Sequence, residues 1–170
     1  MKKFYMLFLF IMISSFSLYA QHPGISIGGN VYFPVGDWAE FASVGFGGSA
    51  TYEHPFSKSI KGVLYAGYNS FSGTEEGFDV SWSMIPVLAG AKFYFSPKMD
   101  WYIAAVIGAN FVTATTPLGD VSSTEFAGNA NFGYELKTSE KGAVDFSAGF
   151  IYITDLSYFG ARIAYIFYLN

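Results

Sequence analysis

The 170-residue sequence contains no cysteine. That absence excludes a disulfide framework, a thiolate metal site and the lipidated cysteine of a lipoprotein. Charge is scarce as well. Asp, Glu, Lys and Arg together make up 13% of the residues, about half the share of a typical soluble domain, so something other than water must cover much of the surface. Beyond the first residues no cluster of Lys or Arg occurs, and the net charge is −4, which argues against nucleic acid as a partner. After residue 20 there is also no run of 18 apolar residues, so no transmembrane helix is available.

What fills the chain instead is apolar and aromatic: 52% and 21% of the residues. The length suits one domain. Residues 1–20 have the form of a signal peptide, with Lys2 and Lys3, an apolar stretch from Phe4 to Phe16 broken only by Ser14 and Ser15, and Ala20 ahead of Gln21. Ser15 and Ser17 offer a second cleavage site. An uncleaved anchor is the alternative, but the run falls short of the ~20 residues of a membrane span and no stop-transfer charges follow it. The expected division is therefore a signal peptide over 1–20 and a barrel over 21–170.

A membrane-like composition without spanning helices leaves one architecture. In hydrocarbon every backbone N–H and C=O must be paired internally, which only a helix or a closed β-barrel achieves. Its signature is segments of ~10 residues that alternate in polarity between turns. Eight such segments can be traced. Ile25 to Phe33 sets Ile25, Ile27, Val31 and Phe33 against Ser26, Asn30 and Tyr32; Val44 to Glu53 sets Phe46, Ala50 and Tyr52 against Ser49, Thr51 and Glu53. Ile60 to Phe71, Val80 to Phe95 and Trp101 to Thr113 continue the pattern, and Glu125 to Leu136, Val144 to Tyr152 and Tyr158 to Leu169 complete it. The joints alternate too. About five residues connect segments two and three, four and five, and six and seven. The others are joined through Pro34 to Ser43, Ser72 to Asp79, Ala114 to Thr124 and the short Thr154 to Ser157. Short periplasmic turns and longer outer loops, with both termini periplasmic, are the outer-membrane arrangement.

Aromatic residues gather at both ends of the segments. Tyr52, Phe93, Phe95, Trp101, Tyr134 and Phe167 would lie near the periplasmic ends, and Phe33, Phe111, Phe126, Tyr152 and Phe159 near the outer ends, as interfacial girdles do. Pro86 breaks the rule, because it lacks the N–H that a closed ladder needs; a bulge or a missing ladder bond near the outer rim is expected there.

The stretch Ile85-Pro86-Val87-Leu88-Ala89-Gly90-Ala91-Lys92-Phe93-Tyr94-Phe95 and the closing Arg162-Ile163-Ala164-Tyr165-Ile166-Phe167-Tyr168 resemble strands of the small outer membrane protein beta-barrel family of Bacteroidota. The resemblance extends over 21–170 and includes the OmpA-, OmpX- and OmpW-type barrels. It implies an eight-stranded antiparallel up-and-down transmembrane β-barrel in the outer membrane of a Gram-negative bacterium. The closing strand departs from the usual pattern, because the chain ends in Asn170 and not in an aromatic residue.

Eight strands enclose a lumen just wide enough for side chains to fill. The inward face offers Glu53, Lys61, Lys92, Glu135, Asp145 and Arg162, three acids and three bases. In a medium of low dielectric these should pair into a structural plug; the functional alternative is a proton or ion path. Catalysis finds little support. His22 lies at the mature N-terminus, and His54 in a turn beside Pro55 follows Glu53, whose side chain must point to the opposite face. No metal-ligand spacing, phosphate loop or cofactor motif occurs. The expected role is structural or surface-interacting, with a narrow channel or transporter for small hydrophobic molecules as the alternative and a lipid-modifying enzyme a distant third. The expected partners are outer-membrane lipid and lipopolysaccharide, and the barrel-assembly machinery during insertion, for a chain that remains a monomer. Glu75, Glu76, Asp120 and Glu125 make the outer rim acidic, as a rim that holds bridging divalent cations would be, although solvated loop charge is the commoner explanation. The loops are too short for a large adhesive surface.

Overall fold

The structure, a computed structural model, describes residues 22–75, 78–96, 98, 100–117, 119–154 and 156–169. The signal-peptide segment lies outside the described residues. Eight antiparallel strands follow one another in order: β1 (Gly24–Val35), β2 (Gly45–Pro55), β3 (Ile60–Glu75), β4 (Phe78–Tyr94), β5 (Trp101–Thr116), β6 (Gly119–Ser139), β7 (Gly142–Ile153) and β8 (Leu156–Tyr168). Each pairs with its sequence neighbours, and β1 pairs with β8 from Gly24↔Tyr168 to Val35↔Ser157, which closes the barrel. Closure leaves no edge within the barrel wall and satisfies the backbone.

Side chains alternate between two environments. Outward positions expose Ile27, Phe46, Leu64, Ile107, Phe132 and Ile163, each at least half accessible; inward neighbours such as Ser26, Asn69, Asn110 and Asp145 are fully buried. The fold is thus turned inside out relative to a soluble domain. The aromatic girdle residues, among them Phe93, Phe95 and Trp101 at one end and Phe33, Phe111 and Phe126 at the other, stand on the outward face.

Two expectations need correction. The stretches assigned to outer loops are mostly strand: β3 runs to Glu75 and β4 starts at Phe78, β5 runs to Thr116 and β6 starts at Gly119, and β7 runs to Ile153 and β8 starts at Leu156. Ser, Thr and Val extend as strands readily, but the polar stretch shows no apolar alternation by which to recognise them. Only the first connection keeps a loop, the 3-10 helix Gly36–Glu40. At Pro86 the missing ladder bond is found and the bulge is not, so only the expected place of the irregularity changes. The β3–β4 register passes from Ala66↔Val87 to Asn69↔Met84 without a shift, while Pro86↔Asn110 holds on the β5 side. The missing N–H faces β3 alone, and the gap lies mid-strand, not at the rim.

Candidate functional site

We call the end of the barrel that holds the chain termini and the β2–β3, β4–β5 and β6–β7 turns the turn end, and the opposite one the loop end. The six charged residues singled out from the sequence meet in the turn-end half of the lumen. Lys92 Nζ donates to Glu53 Oε1 at 2.5 Å, to Glu135 Oε1 at 2.9 Å and to Asp145 Oδ2 at 3.3 Å. Lys61 Nζ reaches Glu53 Oε2 at 3.1 Å and Glu135 Oε2 at 3.5 Å. Arg162 Nη1 donates to Asp145 Oδ1 at 3.1 Å. Three acids and three bases cancel, so the buried cluster carries no net charge.

Several partners were not singled out in advance. The Tyr94 hydroxyl donates to Glu135 Oε1, and the Tyr102 hydroxyl to Asp145 Oδ2 at 2.6 Å. Arg162 spends its other donors on Ser49 Oγ at 2.9 Å, Ser26 Oγ at 2.8 Å and Thr51 Oγ1 at 3.4 Å. Lys92 also lies 4.2 Å from the centre of the Tyr102 ring, a cation–π contact strengthened by desolvation. Tyr102 fits only because residue 133 is glycine; a Cβ there would fall 2.2 Å from the ring. The signal for these partners is parity: Ser26, Ser49, Thr51, Tyr94 and Tyr102 all stand at inward positions of the alternation.

The loop-end half is filled differently. Tyr32, Phe71, Met84, Val112, Ile153 and Tyr158 form one apolar cluster. Trp38, carried by the 3-10 helix, folds over it, 4.7 Å from Phe71 and 5.6 Å from Tyr158 between ring centres. The segment after the helix is pinned to β3: Ser43 N donates to Ser72 O and Thr74 N to Phe41 O, and Ala42 bridges Gly73. A Cβ at Gly73 would sit 1.8 Å from Phe41 O, so that contact needs glycine. Between the halves, Asn69, Asn110 and Asn129 border a void of about 10 Å³ together with Pro86. Asn110 has neither side-chain atom paired, and Asn69 Oδ1 and Asn129 Oδ1 also lack partners.

His54 and Glu53 diverge as adjacent strand residues must. Glu53 enters the lumen, while His54, at the end of β2, lies outward beside Tyr52, its Nδ1 at 3.4 Å from the Tyr52 hydroxyl. His22 is exposed. Outside the strands, the Ser96 hydroxyl donates to Asp100, whose carboxylate also accepts from Trp101 N at 3.0 Å. The Ser96 bond holds the Asp100 carboxyl below its ordinary value.

The loop end bears a further feature. β6 pairs with β5 from Thr116↔Gly119 onward, but its pairing with β7 starts only at Ala127↔Ile153. Residues 119–125 of β6 thus stand clear of the β7 ladder, which ends where Thr154 N donates to Phe126 O at 3.2 Å. Strands β3 to β6 form a sheet that outgrows the rest of the barrel.

No family model and no curated protein matches the chain. Solved structures do. Ail, the attachment invasion locus protein of Yersinia pestis, is 15% identical and superposes with a TM-score of 0.61 over 88% of this chain and 99% of its own. For Ail in complex with the heparin analogue sucrose octasulfate the TM-score is 0.66, at the same identity and coverage. Neisserial surface protein A is 12% identical, with a TM-score of 0.60 over 85% of this chain and 94% of its own. The N-terminal β-barrel domain of Pseudomonas aeruginosa OprF is 12% identical, with a TM-score of 0.56 over 88% and 98%. At such identities the likeness is one of fold, and the fold is that of the small eight-stranded outer membrane barrels of the OmpA/OmpX kind.

Proposed function

We propose that the protein is a small integral outer-membrane barrel, loop end outward, that works through its surface and not as a conduit. One observation carries this reading: the lumen is stopped twice. Six mutually paired charges fill one half, and an aromatic cluster roofed by Trp38 fills the other. Breaking either would cost free energy, because a buried charge stripped of its partner or a core emptied of its side chains is unfavourable. The void of about 10 Å³ between them has room for about one water, which disfavours carriage of a hydrophobic solute through the lumen. The exposed apolar belt supports a bilayer as solvent, and the leader over 1–20 supports export. Bilayer lipid, lipopolysaccharide and, during insertion, the assembly machinery are the partners this reading entails.

Polyanion binding of the kind shown by the Ail complex has less support here. Every Lys and Arg after residue 21 lies in the lumen or at the turn end: Lys61, Lys92 and Arg162 in the first, and at the second Lys58, Lys98 and Lys141 in the joints with Lys137 near the end of β6. The loop end has Asp37, Glu40, Asp79, Asp120 and Glu125 and no base among the described residues.

Conductance of the purified mature protein in a planar phospholipid bilayer tests the reading. Silence is expected, and steady single-channel steps would refute a stopped lumen. A gel-mobility shift on boiling, and recovery in the outer-membrane fraction, are expected of the inserted barrel; recovery in the soluble periplasm would sink the membrane reading itself.

A further inference from the structure

The sheet that outgrows the barrel has one face continuous with the lipid-facing belt, and that face changes chemistry abruptly. Along β3 the outward series passes from Tyr68 to Ser70; along β4 from Ile85 to Ser83; along β5 from Phe111 to Thr113; along β6 from Phe126 to Thr124. The last apolar residue on each strand is about half exposed, so a single surface turns from hydrocarbon-like to hydroxylic within two residues on four adjacent strands.

The hydroxyls are in register. Ser70 pairs with Ser83, Ser83 with Thr113, and Thr113 with Ser122. Two residues further out, Ser72 pairs with Ser81 and Ser81 with Thr115. Strand spacing sets neighbouring hydroxyls about 4.8 Å apart along a row, and the two-residue repeat sets rows about 6.7 Å apart. Within this lattice Thr113 Oγ1 and Ser122 Oγ are joined at 3.0 Å; most of the other groups are exposed. A merely solvated strand surface would be expected to carry Lys and Glu, as the turn end does with Lys58, Lys98, Lys137, Glu140 and Lys141. None occupies the lattice, and Asp79 and Asp120 appear only at its far margin.

We propose that this face docks the saccharide head of a glycolipid in the surrounding leaflet. The proposal rests on the outer-membrane reading above. Continuity of the face identifies the occupant: whatever molecule lays its acyl chains against Ile85, Phe111 and Phe126 presents its headgroup to the rows above. Hydroxyls are donors and acceptors at once, as sugar hydroxyls are, and they match the neutral part of such a head where no cation is present to hold phosphate. Ser and Thr are short, so fixing them costs less rotamer entropy than fixing the long charged side chains they replace.

The test reconstitutes the full mature barrel in nanodiscs of phosphatidylcholine doped with a glycolipid bearing a neutral oligosaccharide head, and measures glycolipid retained per barrel after isolation. The wild type should hold the glycolipid over its bulk ratio. The variant Ser83→Ala/Thr113→Val/Ser122→Ala should lose about tenfold in retention, the scale of a few net hydrogen bonds, with its boiling-dependent gel shift intact. Equal retention by wild type and variant overturns the proposal. So does retention that requires a phosphorylated head and vanishes with a chelator, which assigns the contact to cation bridging. Concentration-dependent dimers abolished in the variant would also overturn it, in favour of a second copy as occupant. Failure of the wild type to enter the nanodiscs overturns the membrane reading instead, and is told apart by the missing gel shift. If the triple variant does not insert, Thr113→Val alone is measured, and it should show a smaller loss in the same direction.

Discussion

The two halves of the lumen solve the same packing problem with opposite chemistry. At the turn end the strands converge on Glu53, Lys61, Lys92, Glu135, Asp145 and Arg162, and the cavity is filled by ions that satisfy one another. At the loop end Phe71, Met84, Ile153 and Tyr158 fill a space of similar width with shape alone, under the indole of Trp38. Each half fails in its own way. An apolar core loses contacts piecemeal, whereas a neutral ion cluster loses its balance at once: deleting any member leaves a net buried charge. The layer between them, where Asn69, Asn110 and Asn129 have unpaired polar atoms beside the Pro86 gap, belongs to neither solution and is the weak seam.

Substitutions in each half should expose that contrast when unfolding by urea is followed in phospholipid vesicles. Glu53→Ala leaves Lys61 and Lys92 sharing too few acids and should cost about 3–5 kcal/mol; a loss under 1 kcal/mol would mean that the cluster is hydrated and not a plug. Met84→Ala, at a position with no exposure, should cost about 2–3 kcal/mol, and loss of fluorescence change at Trp38 would locate the damage at the roof. Tyr102→Phe removes one hydrogen bond to a carboxylate and should cost about 1.5–2 kcal/mol. At the seam the sign reverses: Asn110→Leu removes two unpaired polar atoms and should leave stability unchanged or slightly raised, so a clear loss would show that ordered water pairs them. The smallest effect belongs to Asp100 outside the strands. Its carboxyl is held low by Ser96, so its contribution is present above the ordinary carboxylate range and is lost as pH falls through the depressed value. Unfolding midpoints of Asp100→Asn and the parent protein should therefore differ slightly at neutral pH and converge in strong acid.

Much of this could be foreseen because a barrel strand's two faces have different solvents, and that contrast is written into the chain with period two. Every charged residue placed inward by parity is found inward, Glu53 and His54 diverging as neighbours must. Parity could not say which acid meets which base. Lys92 and Asp145 lie 53 residues apart and are brought together by the stagger of strands around a closed ring. The run-on of β5 and β6 past the rim was hidden for a related reason: residues 119–124 are exposed on both faces of β6, so the burial contrast that marks a strand with period two is absent there. Trp38 was equally hidden, because Gly36–Glu40 has no periodicity and its burial depends on the Ala42–Gly73 bridge to a strand thirty residues on.

Local alternation was enough to fix the eight segments, their apolar outward and small polar inward faces, and the inward placement of Glu53, Lys61, Lys92, Glu135, Asp145 and Arg162. These follow from local parity, because successive side chains of a strand point to opposite faces. Closure of β1 on β8, the pairing of the six lumen charges, the roof of Trp38 and the lattice of hydroxyls on β3 to β6 were decided only by the tertiary structure. Each depends on the register between strands, and register belongs to the whole ring and to no single segment of it.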